Sequence, residues 1–328
     1  MRAVVIETFG DYESGVVRDV PRPVPGPDQI LVEVRAAPVN YVDIVVAAGK
    51  YQFAPPLPYT PGKGPAGIVA GFGDNVDGFA LGDRVLAMAE TGGYAQFACA
   101  PKSDCFHIPD TLSFAQAGAM SLAYDTAWFA LRDRARIVAG DTVLVLGATG
   151  AVGRATMQLA RAMGGVAIAG TSSPERFDSA RAAGARHVVD LSTPNLRDSL
   201  RDQVAAVTDG RGVDIVIDML GGDFFDAAIR AVAWRGRVVI VGFAAGRIPT
   251  LKVNYLMLKN IEVSGLQVSD YRKRRPDMMA HCFRELFEFH SAGKIDLGPV
   301  VETPLEDFAS AMRAIEQRSA STRIVLTP

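Results

Sequence analysis

The sequence predicts an α/β protein of two domains, one β-rich and one a doubly wound parallel sheet. Three observations predict it. Short β-branched runs fill the first hundred residues. Strand and helix patterns alternate through the middle. A glycine-rich turn joins the first middle strand to an amphipathic helix. The length, 328 residues, suits two domains at roughly 150 residues each.

The first part reads as strands at 2–6, 29–37, 67–72 and 84–88, punctuated by Gly, Pro and Asp at 21–27, 55–62, 71–77 and 82–83. Many short strands at close spacing predict a barrel or sandwich, with no long helix before Ser113. The middle then changes period. An apolar strand at 142–147 leads into a helix over 151–163 whose apolar face is Val152, Ala155, Leu159, Ala160 and Met163, closed by Gly164. A strand at 166–169 and a helix over 173–183 follow, with Ser173 as N-cap and Pro174 at its first position. Further strands are predicted at 187–190, 213–217, 237–241 and 261–265. Such alternation makes parallel strands joined by right-handed crossovers. The last part predicts a helix over 276–292 and a second over 304–318, where Thr303 and Glu306 form a capping box, then a strand at 323–327.

Composition narrows the function. Hydrophobic residues make up 49% and charged residues 21%, ordinary for a globular chain. No apolar run reaches the ~18 residues of a membrane span, and residues 1–10 carry no secretory pattern. A net charge of −2 gives no reason to expect a nucleic-acid partner. The basic run 272–275 reads as a solvated loop. Three cysteines (Cys99, Cys105, Cys282) make no disulfide framework and read as buried or half-buried thiols, so a cytoplasmic location is expected. There is no Cys-x-x-Cys and no His-x-x-x-His, and the adjacent His281 and Cys282 would point about 100° apart on a helix. No metal site is expected.

The motif that carries chemistry is Gly147-Ala148-Thr149-Gly150-Ala151-Val152-Gly153, between a strand and a helix. It reads as a dinucleotide fingerprint with alanine at the first glycine position. Gly150 lets the backbone approach a pyrophosphate, Gly153 lets the helix pack on the strand, and the helix N-terminus presents free N–H groups. An NAD-preferring site places an acid about 20 residues on. Here the second strand ends in Thr171, Ser172 and Ser173, followed by Arg176. Hydroxyls and a guanidinium suit a 2′-phosphate, so NADP is the expected cofactor.

Blocks in chain order carry a resemblance: Pro38-Val39-Asn40-Tyr41-Val42-Asp43, Tyr59-Thr60-Pro61-Gly62, Gly82-Asp83-Arg84-Val85, Gly92-Gly93-Tyr94-Ala95, Thr126-Ala127, the glycine turn, Gly212-Val213-Asp214, Asp218-x-x-Gly221 and the closing run from Arg323 to Pro328. Over nearly its whole length the chain resembles the zinc-independent medium-chain dehydrogenases/reductases of the quinone oxidoreductase type. The resemblance implies a GroES-like β-barrel catalytic domain over 1–120, to which 260–328 returns, and a Rossmann cofactor domain over 121–259. It implies a homodimer paired through the Rossmann sheet edge.

Zinc-dependent relatives carry cysteine where this chain has Asn40, and Gly-His-Glu where it has Gly62, Lys63 and Gly64. Without a metal the expected substrate is a small conjugated carbonyl, such as a quinone, an enone or an unsaturated thioester, reduced by hydride from NADPH. The resemblance assigns Asn40, Tyr41 and Thr126 to the catalytic side. It assigns Leu220, Gly221, Gly242, Phe243, Leu266 and Gln267 to the nicotinamide pocket and Arg323 to the pyrophosphate. Asp43 is expected to be structural. Three positions depart from the pattern. Val45 replaces a pocket tyrosine, Gly64 a glutamate, and Leu191 a tyrosine near the adenosine phosphate. A non-catalytic NADPH-binding protein is the remaining alternative.

Overall fold

A computed structural model describes residues 1–320 and 322–328. In chain order the strands are β1 (Arg2–Val5), β2 (Val16–Asp19), β3 (Gln29–Pro38), β4 (Ala66–Phe72), β5 (Arg84–Ala87), β6 (Phe97–Pro101), β7 (Cys105–His107), β8 (Thr142–Leu146), β9 (Val166–Thr171), β10 (His187–Asp190), β11 (Val213–Asp218), β12 (Val232–Ile240), β13 (Glu262–Gly265), β14 (Val300–Pro304) and β15 (Arg323–Thr327). The α-helices are α1 (Tyr41–Ala47), α2 (Phe114–Met120), α3 (Tyr124–Phe129), α4 (Ala151–Ala162), α5 (Phe177–Ala182), α6 (Leu196–Val207), α7 (Gly222–Ala231), α8 (Asn254–Lys259), α9 (Val268–Arg274), α10 (Pro276–Ser291) and α11 (Phe308–Glu316). Two compact units result, one of Met1–Leu122, Arg272–Phe287 and Leu297–Pro328, the other of Ala123–Tyr271 and Glu288–Asp296.

The first unit is built on β3, whose ten residues pair antiparallel with β4 and β6 and, at Pro38, with β15. The full order is β14-β15-β3-β4-β5-β7. The chain's last strand thus pairs beside a strand from its first forty residues, the return the resemblance implies. Val4, Val34, Tyr94, Phe308, Met312 and Leu326 share one buried core. The predicted helix over 304–318 begins later than expected. Thr303 and Pro304 pair with Leu326 and Thr327 as extended backbone, so they cannot start a helix, and Glu306 pairs with Arg2 at 3.0 Å rather than reaching back to a cap. The helix proper opens at Phe308, after a 3-10 turn over Leu305–Asp307.

The second unit is a six-stranded parallel sheet in the order β10-β9-β8-β11-β12-β13. It runs past the predicted boundary at 259. Val238 of β12 pairs in parallel with Val263 of β13, so the sheet keeps its sixth strand. Its core gathers Leu144, Leu146, Ile168, Val216, Phe225 and Val238. The predicted 173–183 helix divides into a 3-10 turn over Pro174–Arg176 and the shorter α5. Strand order reverses between β8 and β11, so the crevice outside their carboxyl ends is the ligand position of this fold. No helix among the described residues is long and apolar enough to cross a membrane.

Candidate active site

The glycine turn leaves the carboxyl end of β8 on one side of this reversal. Gly147 takes φ +82°, and both its N–H and that of Ala148 donate to the Gly170 carbonyl at 3.2 Å. The turn is thereby fixed to β9. A Cβ on Gly153 would stand 2.3 Å from the Gly147 carbonyl oxygen, so no side chain fits there. A Cβ on Gly150 would meet nothing nearer than that same oxygen, at 3.4 Å. Gly150 is exposed and caps α4, whose first backbone bond is Arg154 N–H to the Gly150 carbonyl at 2.9 Å. The N–H groups of Ala151, Val152 and Gly153 precede that bond. Free backbone N–H groups thus open α4 at the glycine turn, an arrangement that suits an anion.

Opposite it, at the end of β11, Asp218 is fully buried. Its Oδ1 accepts the N–H groups of Leu220 at 2.8 Å and Gly221 at 2.9 Å, while Oδ2 has no partner among the described residues. Burial raises this carboxyl above the ordinary range, against those two donors. The loop is held rigid beside the turn: a Cβ on Gly147 would lie 3.1 Å from the Leu220 side chain, and one on Gly221 2.9 Å from Phe243. Gly242 donates to the Asp218 carbonyl at 3.3 Å, and Leu266 to that of Ile240 at 2.9 Å. Leu220, Gly221, Gly242, Phe243 and Leu266 therefore follow the carboxyl ends of β11, β12 and β13. Gln267, next in the chain, is half-buried.

At the end of β9 the four hydroxyl and basic candidates part company. Thr171 is buried, and its Oγ1 accepts the Ser173 N–H at 3.3 Å, closing its own turn. Ser172 is exposed, while Ser173 and Arg176 are half-buried. Sequence reasoning passed over Arg154, which leaves the first turn of α4 and donates to Ser179 of α5 at 2.7 Å. Thr126, in the same unit, sits on α3 with its N–H on the Asp125 carboxylate at 2.8 Å.

The first unit holds Asn40 and Tyr41 at the start of α1. Tyr41 is exposed, and Asn40 is the buried N-cap. Asp43, three residues on, accepts the Asn40 N–H at 3.1 Å and the Tyr94 hydroxyl at 3.3 Å, the structural role expected of it. Complete burial pushes its carboxyl up to about 6, with the Lys63 ammonium the main opposing influence. Arg323 donates to Asn40 Oδ1 at 2.8 Å and to the Ala119 carbonyl at 3.1 Å. A guanidinium only donates, so the amide's orientation is forced and its NH₂ end turns away, one N–H reaching the Pro38 carbonyl at 3.3 Å. Arg323, expected at a pyrophosphate, makes these contacts within the first unit.

Sequence reasoning also missed the ion cluster beside α1. Lys63 Nζ lies 2.9 Å from the Glu90 carbonyl and 2.5 Å from its carboxylate, and Arg272 closes on the same carboxylate. Arg272 is buried and sits on α9, so the solvated loop predicted at 272–275 is corrected. Its charge is tolerated because Glu90 meets it. Gly64 takes φ +66°, with Ser121 Oγ 2.5 Å from where a Cβ would stand, which leaves no room for a glutamate. An amide at 40, an ammonium at 63 and no side chain at 64 are not a zinc donor set. No group of three or more His, Cys, Asp or Glu side chains among the described residues is arranged for a metal. Cys105 and Cys282 are buried and Cys99 half-buried, as expected.

Comparison with known proteins agrees with this architecture. The alcohol dehydrogenase GroES-like domain matches residues 26–110, and the zinc-binding dehydrogenase domain matches 151–284. The chain is 36% identical to the quinone oxidoreductase of Mus musculus over 326 residues, 98% of this chain and 96% of that one. The Pseudomonas syringae quinone oxidoreductase superposes at a TM-score of 0.91 with 29% identity, covering 100% of this chain and 99% of that one. A mycobacterial relative solved with NADPH superposes at 0.91 with 28% identity, over 100% of both chains. The chain belongs to the quinone oxidoreductase family of the medium-chain dehydrogenases/reductases, and is an oxidoreductase of that family.

Proposed function

We propose that this chain is an NADPH-dependent, zinc-independent reductase of a quinone or similar conjugated carbonyl. The observation that carries the reading is the backbone cradle at Gly147–Gly153, facing the Asp218-held loop across the strand-order reversal. The residues present fit a dinucleotide. In this reading the N–H groups opening α4 hold the pyrophosphate, and Ser172, Ser173 and Arg176 meet the 2′-phosphate. Leu220, Gly221, Gly242, Phe243, Leu266 and Gln267 form the nicotinamide pocket. NADPH, when bound, supplies the hydride. Asn40, aimed by Arg323, donates its remaining amide N–H to the acceptor's oxygen and positions it without charging it. Thr126 steadies the ring and Tyr41 borders the acceptor. The donor set at 40, 63 and 64 supports chemistry that needs no bound metal, hence an acceptor already polarised by conjugation.

A homodimer belongs to the same proposal. In the second unit β13 is an edge strand, and Trp234, Ile248, Val253, Met257 and Leu258 are exposed apolar side chains. Exposed apolar side chains and an open edge strand in the same unit support pairing through that unit. Sedimentation of the purified protein tests this, a monomer at micromolar concentration counting against it.

One substrate panel tests the activity: ortho- and para-quinones, 2-alkenals and crotonyl-CoA, each with NADPH and with NADH. Faster turnover of quinones with NADPH is expected. A clearly higher kcat/KM for crotonyl-CoA or a 2-alkenal would replace the quinone reading with enone or enoyl-thioester reduction. Binding of NADPH without reduction of any acceptor would leave only the non-catalytic alternative.

A further inference from the structure

The helices that follow β8 and β9 are tied to each other by a side-chain bond. Arg154 Nη2, on α4, donates to the Ser179 hydroxyl of α5 at 2.7 Å. Both helices belong to the second unit, and the strands they follow are parallel neighbours, with Leu146 beside Gly170. Arg154 is the fourth residue of α4, and helical side chains lean toward the N-terminus, here the end that carries the glycine turn. Ser179 lies three residues beyond Arg176 on the continuous run of 3-10 turn and α5, about one helical turn away. The bond thus carries the Arg154 guanidinium across to the segment that bears Arg176.

This guanidinium has no counter-charge. Arg134, Arg230 and Arg237 are half-buried in the same unit, and each has a carboxylate, at 3.9 Å from Asp133, 2.6 Å from Asp198 and 2.9 Å from Asp141. Arg154 is also half-buried, yet its bond is to a neutral hydroxyl, and no carboxylate among the described residues pairs with it. Asp178, beside Ser179 on α5, is taken by Arg181 at 2.9 Å. A guanidinium stays charged and carries several donors in one plane, so donors remain once Ser179 is satisfied. A partly desolvated cation without a partner is disfavoured until an anion meets it.

The end of β9 offers little else to an anion. Thr171 turns inward, and Leu191, whose N–H donates to the Thr171 carbonyl at 3.0 Å, is buried and apolar. A phosphate monoester carries nearly two negative charges at neutral pH. Arg176 balances about half of that charge. A second guanidinium balances the rest.

We propose that Arg154 is a second cation for the cofactor's 2′-phosphate, opposite Arg176, and a determinant of the preference for NADPH. The inference rests on the NADPH reading and deepens it, adding a residue from the helix of the glycine turn. Ser179 holds the guanidinium toward α5 and leaves its other donors for the phosphate.

Calorimetric titration with 2′,5′-ADP and 5′-AMP reads the subsite without turnover, because the two fragments differ only in the 2′-phosphate. Wild type is expected to bind 2′,5′-ADP more tightly. Arg154→Gln keeps a donor for Ser179 and should weaken 2′,5′-ADP roughly fivefold to tenfold, leaving 5′-AMP within about twofold. Arg154→Lys keeps the charge and should retain most of the preference. Ser179→Ala removes the tie but not the cation, and should leave the ratio within about twofold of wild type. Wild type binding both fragments equally would sink the NADPH reading and the role of Arg154 with it. A wild-type preference unmoved by Arg154→Gln, or a loss shared equally by both fragments, would keep the NADPH reading and overturn the proposal. So would a loss in Ser179→Ala as large as in Arg154→Gln, since the arginine would then be a brace between two helices.

Discussion

At the glycine turn the groups proposed to meet the cofactor are backbone N–H groups, shaped by what Gly147, Gly150 and Gly153 lack. On α1 the opposite holds. Asn40 is aimed by Arg323, 283 residues away in the chain, and Lys63 is held by Glu90, which Arg272 braces from 182 residues away. A backbone site is sensitive to added atoms and indifferent to charge. A side-chain site tolerates volume and fails when a charge loses its partner. The two regions of this molecule therefore break in different ways.

The largest effect is expected in the turn. Gly153→Val puts a Cβ 2.3 Å from the Gly147 carbonyl oxygen, where only main chain surrounds it, and should destabilise the protein by more than about 3 kcal/mol. Gly150→Val has ordinary room and a φ of −74°. It should cost about 1 kcal/mol, as a poorer cap. Its NADPH affinity should nonetheless fall roughly a hundredfold, because the branched side chain occupies the approach to the cradle. Urea denaturation and NADPH fluorescence titration separate the two. Equal stability of both variants would break the account of the turn.

In the ion cluster, Arg272→Met keeps the volume and removes one cation. Glu90 retains Lys63 and is partly exposed, so a loss of about 2–3 kcal/mol is expected, less than for a fully buried pair. Adding Glu90→Gln in the same chain should recover part of it. Strict additivity in that double-mutant cycle would show that the contact holds nothing together.

These differences also decide what was legible in the sequence. Gly147 to Gly153 could be read because strand, turn and helix are contiguous and every constraint is local. The edges of β15 and β10 were legible for the same reason. The α1 helix was passed over because its seven residues are too few for a periodic signal. Thr303 and Pro304 looked like a helix start, since the strand they pair with lies twenty residues further on. The basic run at 272–275 looked solvated because the carboxylate that buries Arg272 belongs to another part of the chain. Asp218 was visible as part of a motif, but its grip on Leu220 and Gly221 needs the turn's geometry.

Asp43 joins the two themes, a charge buried by a local cap. Well below pH 4 its carboxyl is protonated in folded and unfolded chains alike, and its contribution to stability is complete. As pH rises the unfolded chain ionises first, while the folded chain resists until about pH 6. Stability is therefore lost as pH rises through this window, by about 3 kcal/mol in all. Asp43→Asn cannot ionise and keeps an acceptor for the Asn40 N–H. The stability of wild type relative to this variant should decline from pH 4 to 6.5. A flat difference would mean that Lys63 and the Tyr94 hydroxyl already balance the burial.

The smallest effect sharpens the comparison within the second unit, where side chains join a backbone site. Thr171 and Arg176 were read from sequence as equal partners of a 2′-phosphate, yet Thr171 turns inward. Its hydroxyl already accepts the Ser173 N–H, and the side chain is buried. Thr171→Val should cost about 1 kcal/mol of stability for the lost acceptor and leave the NADPH-to-NADH affinity ratio unchanged. Arg176 is half-buried on the 3-10 turn that follows β9, and in the proposed site its guanidinium would meet the 2′-phosphate through a charge-assisted bond. Arg176→Ala should weaken NADPH by about 1.5 kcal/mol, roughly tenfold, and leave NADH nearly untouched, since NADH carries no 2′-phosphate for the arginine to meet. Titration of both cofactors against both variants reads the ratio directly. If Arg176→Ala weakened the two cofactors equally, the preference for the phosphate would have to come from Arg154 or from the exposed Ser172, and the arginine would be no more than a brace for its turn.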